Sequence, residues 1–180
     1  MIAVRRATLS DAADMARIYV ETWQDAYAGL LPDQGLLSMS TEHRTLRIQT
    51  VLEEHSAKEA CLVATHEKFG VIGLGSAGPT RTRDLTYGAE IYTLYVDPNH
   101  QRMGAGRALL AGLFIAMHQA GQRSAVIWAL GGNPARTFYE QLGGVEVAQR
   151  TGITFGMVHD EIAFGWPNMS LRHAARAEEG

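Results

Sequence analysis

The sequence predicts an α/β fold in which one mixed sheet carries helices on both faces. Apolar residues recur with helical spacing in the first third of the chain and with strand-like spacing in the middle. From residue 89 onward, strand and helix patterns alternate, and the strand–helix–strand segment 89–130 predicts a right-handed crossover between two parallel strands. The hairpins predicted on either side of this unit add antiparallel strands, so the sheet is mixed.

The composition predicts one globular domain without a nucleic-acid partner. The chain has 180 residues, 46% of them hydrophobic, and a formal net charge of −3, which gives no basic footprint for nucleic acid. A single cysteine, Cys61, excludes an intramolecular disulfide. The first residues lack a signal-peptide pattern and no apolar run is long enough to span a bilayer, so we expect a cytoplasmic protein without membrane contact. We expect residues 1–167 to form the domain and 168–180 to be a disordered tail.

The first third of the chain predicts a strand and two helices. Ile2–Ala7 shows the alternation of a strand, and Ser10 has the residue type of a helix N-cap. A helix with apolar residues at helical spacing follows and ends before Gly29. Thr41–His55 predicts a second helix. This stretch therefore contributes the β-α-α start of the fold.

The middle of the chain predicts three strands. Ala60–His66 and Val71–Ala77 form a hairpin, and Ala89–Val96 is a longer strand that ends at Asp97-Pro98. The glycine-rich stretch Gly73–Gly78 has the spacing of a dinucleotide-binding loop, but no helix follows it. We therefore interpret these glycines as part of a bulged or bent strand.

The last third predicts two helices among three strands. Gly104–Ala120 is an apolar helix, and Ala125–Leu130 is a continuous apolar run, as in a strand that is buried on both faces. Asn133-Pro134 opens a helix that continues to Leu142, because Pro suits the first helical turn. Val145–Arg150 and Glu161–Trp166 complete the predicted order β-α-α-β-β-β-α-β-α-β-β.

The most informative segment runs from the end of the predicted strand Ala89–Val96 into the predicted helix Gly104–Ala120. Gly104 and Gly106 leave space for a ligand close to the backbone, and free N–H groups at a helix start attract anions. Gln101, Arg102 and Arg107 add hydrogen-bond donors and positive charge. The segment therefore predicts a pyrophosphate site, with a tightly packed helix start as the alternative.

A second segment follows the predicted parallel strand. Asn133 is either an N-cap or a ligand-binding amide, and Phe138 has the position of a core residue. Tyr139 is either a buried structural phenol or a general acid. Both segments lie at the carboxyl edge of the sheet, where open α/β sheets bind ligands.

Taken together, these two segments resemble the motifs of the GNAT superfamily, the acyl-CoA-dependent N-acetyltransferases. Gln101-Arg102-Met103-Gly104-Ala105-Gly106 matches the Q/R-x-x-G-x-G/A signature of that family. The segment from Asn133 to Gly143 resembles the next family motif, although Asn133 lies six residues before Tyr139 where seven is commoner. The resemblance covers most of the chain and agrees with the predicted order of elements, so it implies a GNAT-type acyl-CoA N-acyltransferase fold.

The resemblance implies a role for each matched residue. Tyr139 would protonate the departing CoA thiolate, and Asn133 would bind the pantetheine arm. Glu90, at the start of its strand, is the first choice as general base; its alternatives are an exposed strand glutamate and a base made by a water chain. The implied acetyl-CoA-binding residues are Leu94, Tyr95 and Val96 for the pantetheine arm, and Gln101, Arg102, Met103, Gly104, Ala105, Gly106 and Arg107 for the pyrophosphate.

The resemblance also implies direct transfer of acetyl from acetyl-CoA to a primary amine, which we expect to be a small molecule. Two alternatives stay open: acetylation of a peptide or protein amine, and a non-catalytic acyl-CoA-binding sensor or partner subunit. Trp23 and Tyr27 would suit an acceptor pocket, although aromatic residues at helical spacing are more often core. The loop Thr151–Asp160, with His159 and Asp160, is a second candidate wall.

The remaining expectations concern metals and partners. No histidine spacing typical of a metal site occurs in the sequence, so no metal is expected. Members of the resembled family often form dimers, and a homodimer is therefore an expectation for this chain.

Overall fold

The computed structural model describes residues 1–169 and shows seven strands and five helices among them. The strands are β1 (Ile2–Arg6), β2 (Ala60–His66), β3 (Gly70–Pro79), β4 (Ala89–Val96), β5 (Ala125–Leu130), β6 (Val145–Thr154) and β7 (Met157–Trp166). The helices are α1 (Ala12–Ala26), α2 (Asp33–Leu37), α3 (Thr41–Glu54), α4 (Ala105–Gln119) and α5 (Arg136–Gln141). Two short 3₁₀ turns, Leu9–Asp11 and Pro98–His100, precede α1 and follow β4.

All seven strands form one sheet in the order β1-β2-β3-β4-β5-β7-β6. Neighbouring strands are antiparallel except β4 and β5, which are parallel and joined by α4. The mixed α/β fold and the parallel crossover predicted from the sequence are thereby confirmed.

The start of α1 is fixed by a buried carboxylate. Asp11 accepts two hydrogen bonds from the Arg5 guanidinium, at 2.7 and 2.8 Å, and one from the Thr8 N–H at 2.8 Å. The bonds from Arg5 lower the pKa of Asp11 to about 2, although burial acts in the opposite direction. The helix therefore begins after Asp11, and Ser10 is not the cap that its residue type suggested.

Helices cover both faces of the sheet. On one face α1 and α3 pack over β2 and β3 through a cluster that includes Met15, Ile18 and Leu52. On the other face the apolar α4 packs against β2, β3 and β4, with Leu109 and Leu113 fully buried. The second cluster extends to α5 and β7 and is the larger of the two. None of the helices within residues 1–169 combines the length and apolarity that crossing a bilayer would require.

Glycines in β3 allow α4 to approach the sheet closely. A Cβ on Gly73 would lie 3.0 Å from Leu109 Cδ1, and a Cβ on Gly75 would lie 3.0 Å from Leu113 Cδ1. The ladder with β2 skips Ile72 of β3, directly before Gly73, while the ladder with β4 skips Tyr92 of β4. The glycines therefore belong to a closely packed strand whose own bulge lies at Ile72 and not within Gly73–Gly78.

The structure differs from the sequence prediction mainly at the element ends. The five-residue helix α2 was not predicted, and α5 begins at Arg136, after the turn that Asn133-Pro134 makes. The β6–β7 hairpin is longer than predicted, with a tight turn at Phe155 (φ 50°) and Gly156 (φ 76°).

The chain continues in an ordered way beyond the expected domain end at residue 167. Met169 is 2% exposed, and its N–H donates to the Arg123 carbonyl oxygen at 2.8 Å. Most of the predicted disordered tail, from 170 to 180, lies outside the described residues.

Candidate active site

The site is organised by the separation of β4 from β5. These parallel strands pair only at Ala89–Ile91 with Ala125–Ile127. Beyond Ile91 β4 continues with β3 as its partner, while β5 continues with β7. Along the described strands, a gap therefore opens between the carboxyl-terminal halves of β4 and β5.

The alternation of the β3–β4 ladder shows which main-chain groups of β4 face this gap. The Asp97 N–H donates to the Ile72 carbonyl oxygen at 2.9 Å, so Asp97 directs its main chain toward β3. In an antiparallel ladder alternate residues face alternate sides, so Val96 and Leu94 direct their N–H and C=O groups away from β3. Tyr95 directs its main chain toward β3. The expectation that Leu94, Tyr95 and Val96 all pair with pantetheine is therefore narrowed to Leu94 and Val96.

Two side chains of α1 hold the free end of β4. The Thr22 hydroxyl donates to the Val96 carbonyl oxygen at 3.3 Å, and the Arg17 guanidinium donates to the Asp97 carboxylate at 2.9 Å. Burial alone would raise the pKa of Asp97, but the bonds from Arg17 and from the Asn99 N–H outweigh it and keep that pKa low. Asp97 is thus a charged anchor for the loop that follows. The sequence showed it only as a strand-ending residue.

The loop before α4 has the backbone shape of an anion site. Arg102 (φ 61°) and Gly104 (φ 91°) both adopt the left-handed conformation, and residues 101–104 are exposed. Successive N–H groups in such a conformation converge on one point, which the start of α4 also faces. A Cβ on Gly104 would meet nothing within 4 Å, so open space lies beside the loop. Gln101, Arg102 and Met103 lie in this loop, and Arg107 lies in the first turn of α4.

Ala105 and Gly106 contribute to the site through packing. Ala105 is 2% exposed and belongs to the core. A Cβ on Gly106 would lie 3.3 Å from Phe138 and 3.6 Å from Val96, so this glycine lets α5 approach α4. Phe138 packs against the main core, as the sequence predicted.

Tyr139 lies on α5 within an aromatic environment. Its ring contacts Phe138, Phe164 and Trp166, with centroids 5.5, 5.5 and 6.3 Å away. The residue is 4% exposed, and burial strongly raises the pKa of its phenol. Within residues 1–169 no side-chain hydrogen bond reaches its hydroxyl. The alternative, in which Tyr139 is a structural residue held by a hydrogen bond from its hydroxyl, therefore lacks a bonding partner within residues 1–169.

Asn133 lies in the turn between β5 and α5 and connects this turn to α1. Its Oδ1 accepts from the Ala135 N–H at 2.8 Å, and its Nδ2 donates to the Tyr27 hydroxyl at 3.1 Å. The amide therefore closes the turn that precedes α5 and is not the helix cap, because the N-cap position of α5 is Ala135 and has no side-chain cap. One Nδ2 hydrogen is left for a ligand.

Trp23 and Tyr27 form part of an aromatic cluster at the same edge of the sheet. The Trp23 indole N–H donates to the Tyr95 hydroxyl at 3.1 Å, and its ring contacts Tyr27 edge-on with centroids 5.0 Å apart. Phe155, from the tip of the β6–β7 hairpin, also contacts Trp23. Tyr27 is 5% exposed and belongs to a small core with Leu31, so its role is partly structural.

Glu90 is buried, which overturns the alternative of an exposed strand glutamate. Its carboxylate accepts from the Arg81 N–H at 2.9 Å and from the Thr82 hydroxyl at 3.3 Å, and it meets the Arg81 guanidinium at 3.4 Å. The Thr82 hydroxyl in turn accepts from the Trp128 indole N–H at 2.9 Å. Glu90 therefore holds the loop between β3 and β4 against β5.

A cavity of about 200 Å³ lies at the carboxyl end of β5. Its lining residues are Leu30, Leu130, Gly131, Gly132, His159 and Asp160. The His159 Nε2 contacts the Thr154 hydroxyl at 2.8 Å, while its buried Nδ1 has no partner among the described residues. His159 and Asp160, which the sequence suggested as a second wall of the acceptor pocket, therefore line this cavity.

Side chains that could bind a metal ion are not clustered within residues 1–169. In the part of the chain that the structure covers, no three His, Cys, Asp or Glu side chains are grouped so that they could hold a metal ion.

Known proteins share both the sequence and the architecture. An FR47-like protein family matches residues 82–152. YuaI of Bacillus subtilis, described as an uncharacterized N-acetyltransferase, is 33% identical over 94% of this chain and 95% of its own length. The ribosomal-protein-alanine N-acetyltransferase of Brucella melitensis superposes with a TM-score of 0.70 at 23% identity, over 91% of this chain and 98% of that one.

Two further structures carry the cofactor. The paiA N-acetyltransferase of Thermoplasma acidophilum, in complex with coenzyme A, has a TM-score of 0.68 at 17% identity, over 90% of this chain and 98% of that one. The yncA protein of Salmonella typhimurium, solved with its cofactor acetyl-CoA, has a TM-score of 0.68 at 24% identity, over 94% of both chains.

The fold and the edge where β4 and β5 separate define an acyl-CoA-dependent N-acyltransferase. The chain belongs to the GNAT superfamily of N-acetyltransferases, and it is an enzyme that uses acetyl-CoA. The alternative of a non-catalytic binding protein is thereby set aside.

Replacing Gly104 by Ala should lower acetyl-CoA affinity by about tenfold or more, because a side chain strains the left-handed conformation that aligns the loop N–H groups. Gly121, at the other end of α4, is a matched control, since it has φ 87° and equally open surroundings. Calorimetric titration with acetyl-CoA, with NADH as control ligand, measures the change. Equal affinity losses in Gly104→Ala and Gly121→Ala would contradict the assignment of the loop.

Proposed function

We propose that the enzyme transfers acetyl directly from acetyl-CoA to the primary amine of a small molecule, in a ternary complex. The observation that supports this most is the gap between β4 and β5. The gap exposes strand main chain beside a loop with the backbone shape of an anion site, and the helix α5 that carries the buried Tyr139 follows β5. A thioester placed there would have its sulfur beside the phenol and its carbonyl beside the strand.

The residues present fit acetyl-CoA. The N–H groups from Arg102 to Arg107, Met103 among them, would hold the pyrophosphate, and Gln101 lies directly before them. Leu94 and Val96 would pair with the pantetheine amides as an added strand, and Asn133 would offer its remaining Nδ2 hydrogen. A strand N–H in this stretch would also polarise the thioester carbonyl.

We propose Glu90 as the base that takes the proton from the acceptor ammonium. One carboxylate oxygen accepts from the Arg81 N–H and the Thr82 hydroxyl, whereas the other has only the longer contact to Arg81 at 3.4 Å. That second oxygen would receive the proton, directly or through a water.

We propose Tyr139 as the acid that protonates the CoA thiolate. Burial keeps its phenol neutral, so the proton is available at physiological pH. The same dry surroundings raise the basicity of a thiolate held next to it, which favours the transfer.

The cavity at the end of β5 supports a small acceptor. Its volume of about 200 Å³ is below the usual range of about 300–1,000 Å³ for pockets that take drug-sized ligands. Side chains on Gly131 or Gly132 would reduce it further, since a Cβ on Gly132 would lie 2.8 Å from Leu30.

The oligomeric state and the cellular location of the enzyme are also proposals. A homodimer would suit the outer strand β6, whose hairpin with β7 exposes Ile153 and Val158. A cytoplasmic location would suit the lone thiol of Cys61, which is buried and whose pKa burial raises to about 11. Nucleic acid and membrane partners are not proposed.

We expect acetyl-CoA consumption to be stimulated by small primary amines and not by peptides that carry the same terminal amine. A thiol-reactive dye reports CoA release from a panel of free amino acids, short diamines, and the matching tripeptides. Turnover with tripeptides at equal kcat/KM would favour the alternative, acetylation of a peptide or protein amine.

Replacing Tyr139 by Phe should lower kcat by about 10²-fold or more, because the thiolate then leaves without a proton donor. Acetyl-CoA affinity should stay within about twofold, since the ring is retained and the hydroxyl acts mainly in the transition state. Tyr87→Phe is the control, because Tyr87 packs against Gly165 away from α5. Wild-type turnover in Tyr139→Phe would remove the acid assignment.

Replacing Glu90 by Gln should lower kcat about 10²-fold at neutral pH while largely preserving the loop contacts through an amide oxygen. The loss should shrink as pH rises through the pKa of the acceptor amine, because neutral amine then forms without a base. Rates across pH 6–10 test this. A loss that is constant over that range would indicate that Glu90 only positions the loop.

A further inference from the structure

A chain of two hydrogen bonds joins Glu90 to the neighbouring strand β5. The Trp128 indole N–H donates to the Thr82 hydroxyl oxygen at 2.9 Å, and the Thr82 hydroxyl donates to Glu90 Oε2 at 3.3 Å. Trp128 lies on β5, Glu90 lies on β4, and Thr82 lies in the loop between β3 and β4. Three separate segments of the chain therefore meet at this carboxylate.

The direction of both hydrogen bonds is fixed by the chemistry of the indole. An indole nitrogen can only donate, so the Thr82 oxygen is the acceptor of the first bond. The single hydroxyl proton of Thr82 must then serve the second bond. Glu90 Oε2 is the acceptor that residues 1–169 offer to this proton. Trp128 thus directs the Thr82 hydroxyl toward the carboxylate.

The two oxygens of Glu90 are unequally occupied. Oε2 accepts from the Arg81 N–H at 2.9 Å and from the Thr82 hydroxyl at 3.3 Å. Oε1 meets only the Arg81 guanidinium, at the long distance of 3.4 Å. The Arg81 side chain is 63% exposed and lies over the Tyr92 ring, 3.6 Å from its centroid. Oε1 therefore keeps the capacity to accept a proton.

Trp128 lies between this carboxylate and the cavity proposed for the acceptor. Glu90 pairs with Val126 of β5. Side chains of a strand alternate between the two faces, so Val126, Trp128 and Leu130 share the face of Glu90, opposite α4. The residues between them belong to the core beneath α4: Ala89, Ile91, Ala125, Ile127 and Ala129. Leu130 lines the cavity of about 200 Å³.

The β6–β7 hairpin holds the Trp128 ring in place. The Arg150 guanidinium lies over the indole, 3.9 Å from the ring centroid, and its Nε donates to the Glu161 carboxylate. Arg150 lies on β6 and Glu161 on β7. The group that directs the Thr82 hydroxyl is therefore itself fixed by an ion-paired side chain.

We propose that Thr82, oriented by the Trp128 indole, is a positioning residue for the Glu90 base. Its hydroxyl holds Oε2, so Oε1 receives the proton of the acceptor ammonium, directly or through a water. In this step an N–H bond of the ammonium breaks, its electron pair stays on nitrogen, and an O–H bond forms at Oε1. The neutral amine can then attack the thioester. This inference rests on the proposed function and on its assignment of Glu90.

Thr82→Val removes the hydroxyl with almost no change in shape. At neutral pH we expect kcat to fall about tenfold, because the carboxylate loses the hydrogen bond that orients it, with KM for acetyl-CoA within about twofold. The loss should vanish as pH rises through the pKa of the acceptor amine, since neutral amine then forms without a base. Rates across pH 6–10 measure this. A loss of equal size at every pH would indicate that Thr82 only holds the loop and would overturn the inference.

Thr82→Ser retains the hydroxyl and should match the wild-type kcat within about twofold. Trp128→Phe keeps an aromatic ring but removes the indole N–H, and we expect a loss of about threefold, the effect of one neutral hydrogen bond. A tenfold loss in Thr82→Ser would contradict the role of the hydroxyl.

Double variants test the order of the chain. Thr82→Val should add no further loss in a Glu90→Gln enzyme, because Thr82 acts through Glu90. Trp128→Phe should likewise add no loss to Thr82→Val. Losses that multiply in either double variant would show that the residues act independently and would overturn the proposal.

Thr65→Val is the matched control, since the Thr65 hydroxyl also donates one hydrogen bond at 3.3 Å, to the Ala3 carbonyl oxygen between β1 and β2. Its kcat should equal that of the wild type. A wild-type enzyme that acetylates no amine, or a fully active Glu90→Gln, overturns the proposed function or its base, and this inference with it. An active wild type with an impaired Glu90→Gln and an unimpaired Thr82→Val overturns this inference alone.

Discussion

The early end of pairing between β4 and β5 is the constraint on which the rest of the site depends. Three residue pairs join these strands, and then each follows its other neighbour, β4 with β3 and β5 with β7. The bulge in β4 near Tyr92 bends the strand where the separation begins, as extra residues in a ladder do. The main chain of Leu94 and Val96 is left facing a gap. Exposed strand edges are normally a liability, and here the edge is suited to an extended ligand arm.

Helix α1 and the residue that follows it contact both sides of this gap. Arg17 and Thr22 hold the end of β4, while Tyr27 at the helix end reaches Asn133 beside β5. These contacts span the separation without filling it.

Burial determines the protonation state of Tyr139, the proposed acid, as much as residue type does. Tyr139 is enclosed by aromatic rings, so its phenol stays protonated, but a phenolate there would be poorly stabilised. Glu90 is also buried, but its carboxylate accepts hydrogen bonds from Arg81 and Thr82. The proposed acid and the proposed base thus lie in surroundings that differ in polarity.

The sequence by itself determined the elements that local pattern controls. The bounds of β4 and β5 were predicted to the residue, because each is an apolar run that ends at turn-forming residues. The glycine-containing turn before α4 was predicted as well, since its glycines and its position before a helix are features of adjacent residues. The short helix α2 and the far end of the β6–β7 hairpin were missed, because five residues carry little periodicity and Phe155 is an unusual residue for a positive φ.

Only the tertiary structure decided which residues share the site and in what state. Asn133 and Tyr27 lie 106 positions apart, and no local pattern connects them. The burial of Glu90, the main-chain direction of Leu94 relative to Tyr95, and the packing of Gly106 against Phe138 also depend on neighbours from distant segments. Local sequence fixes backbone conformation through short-range sterics and hydrogen bonds. Burial, and the proton affinities that follow from it, depend on contacts that form only when the whole sheet is assembled.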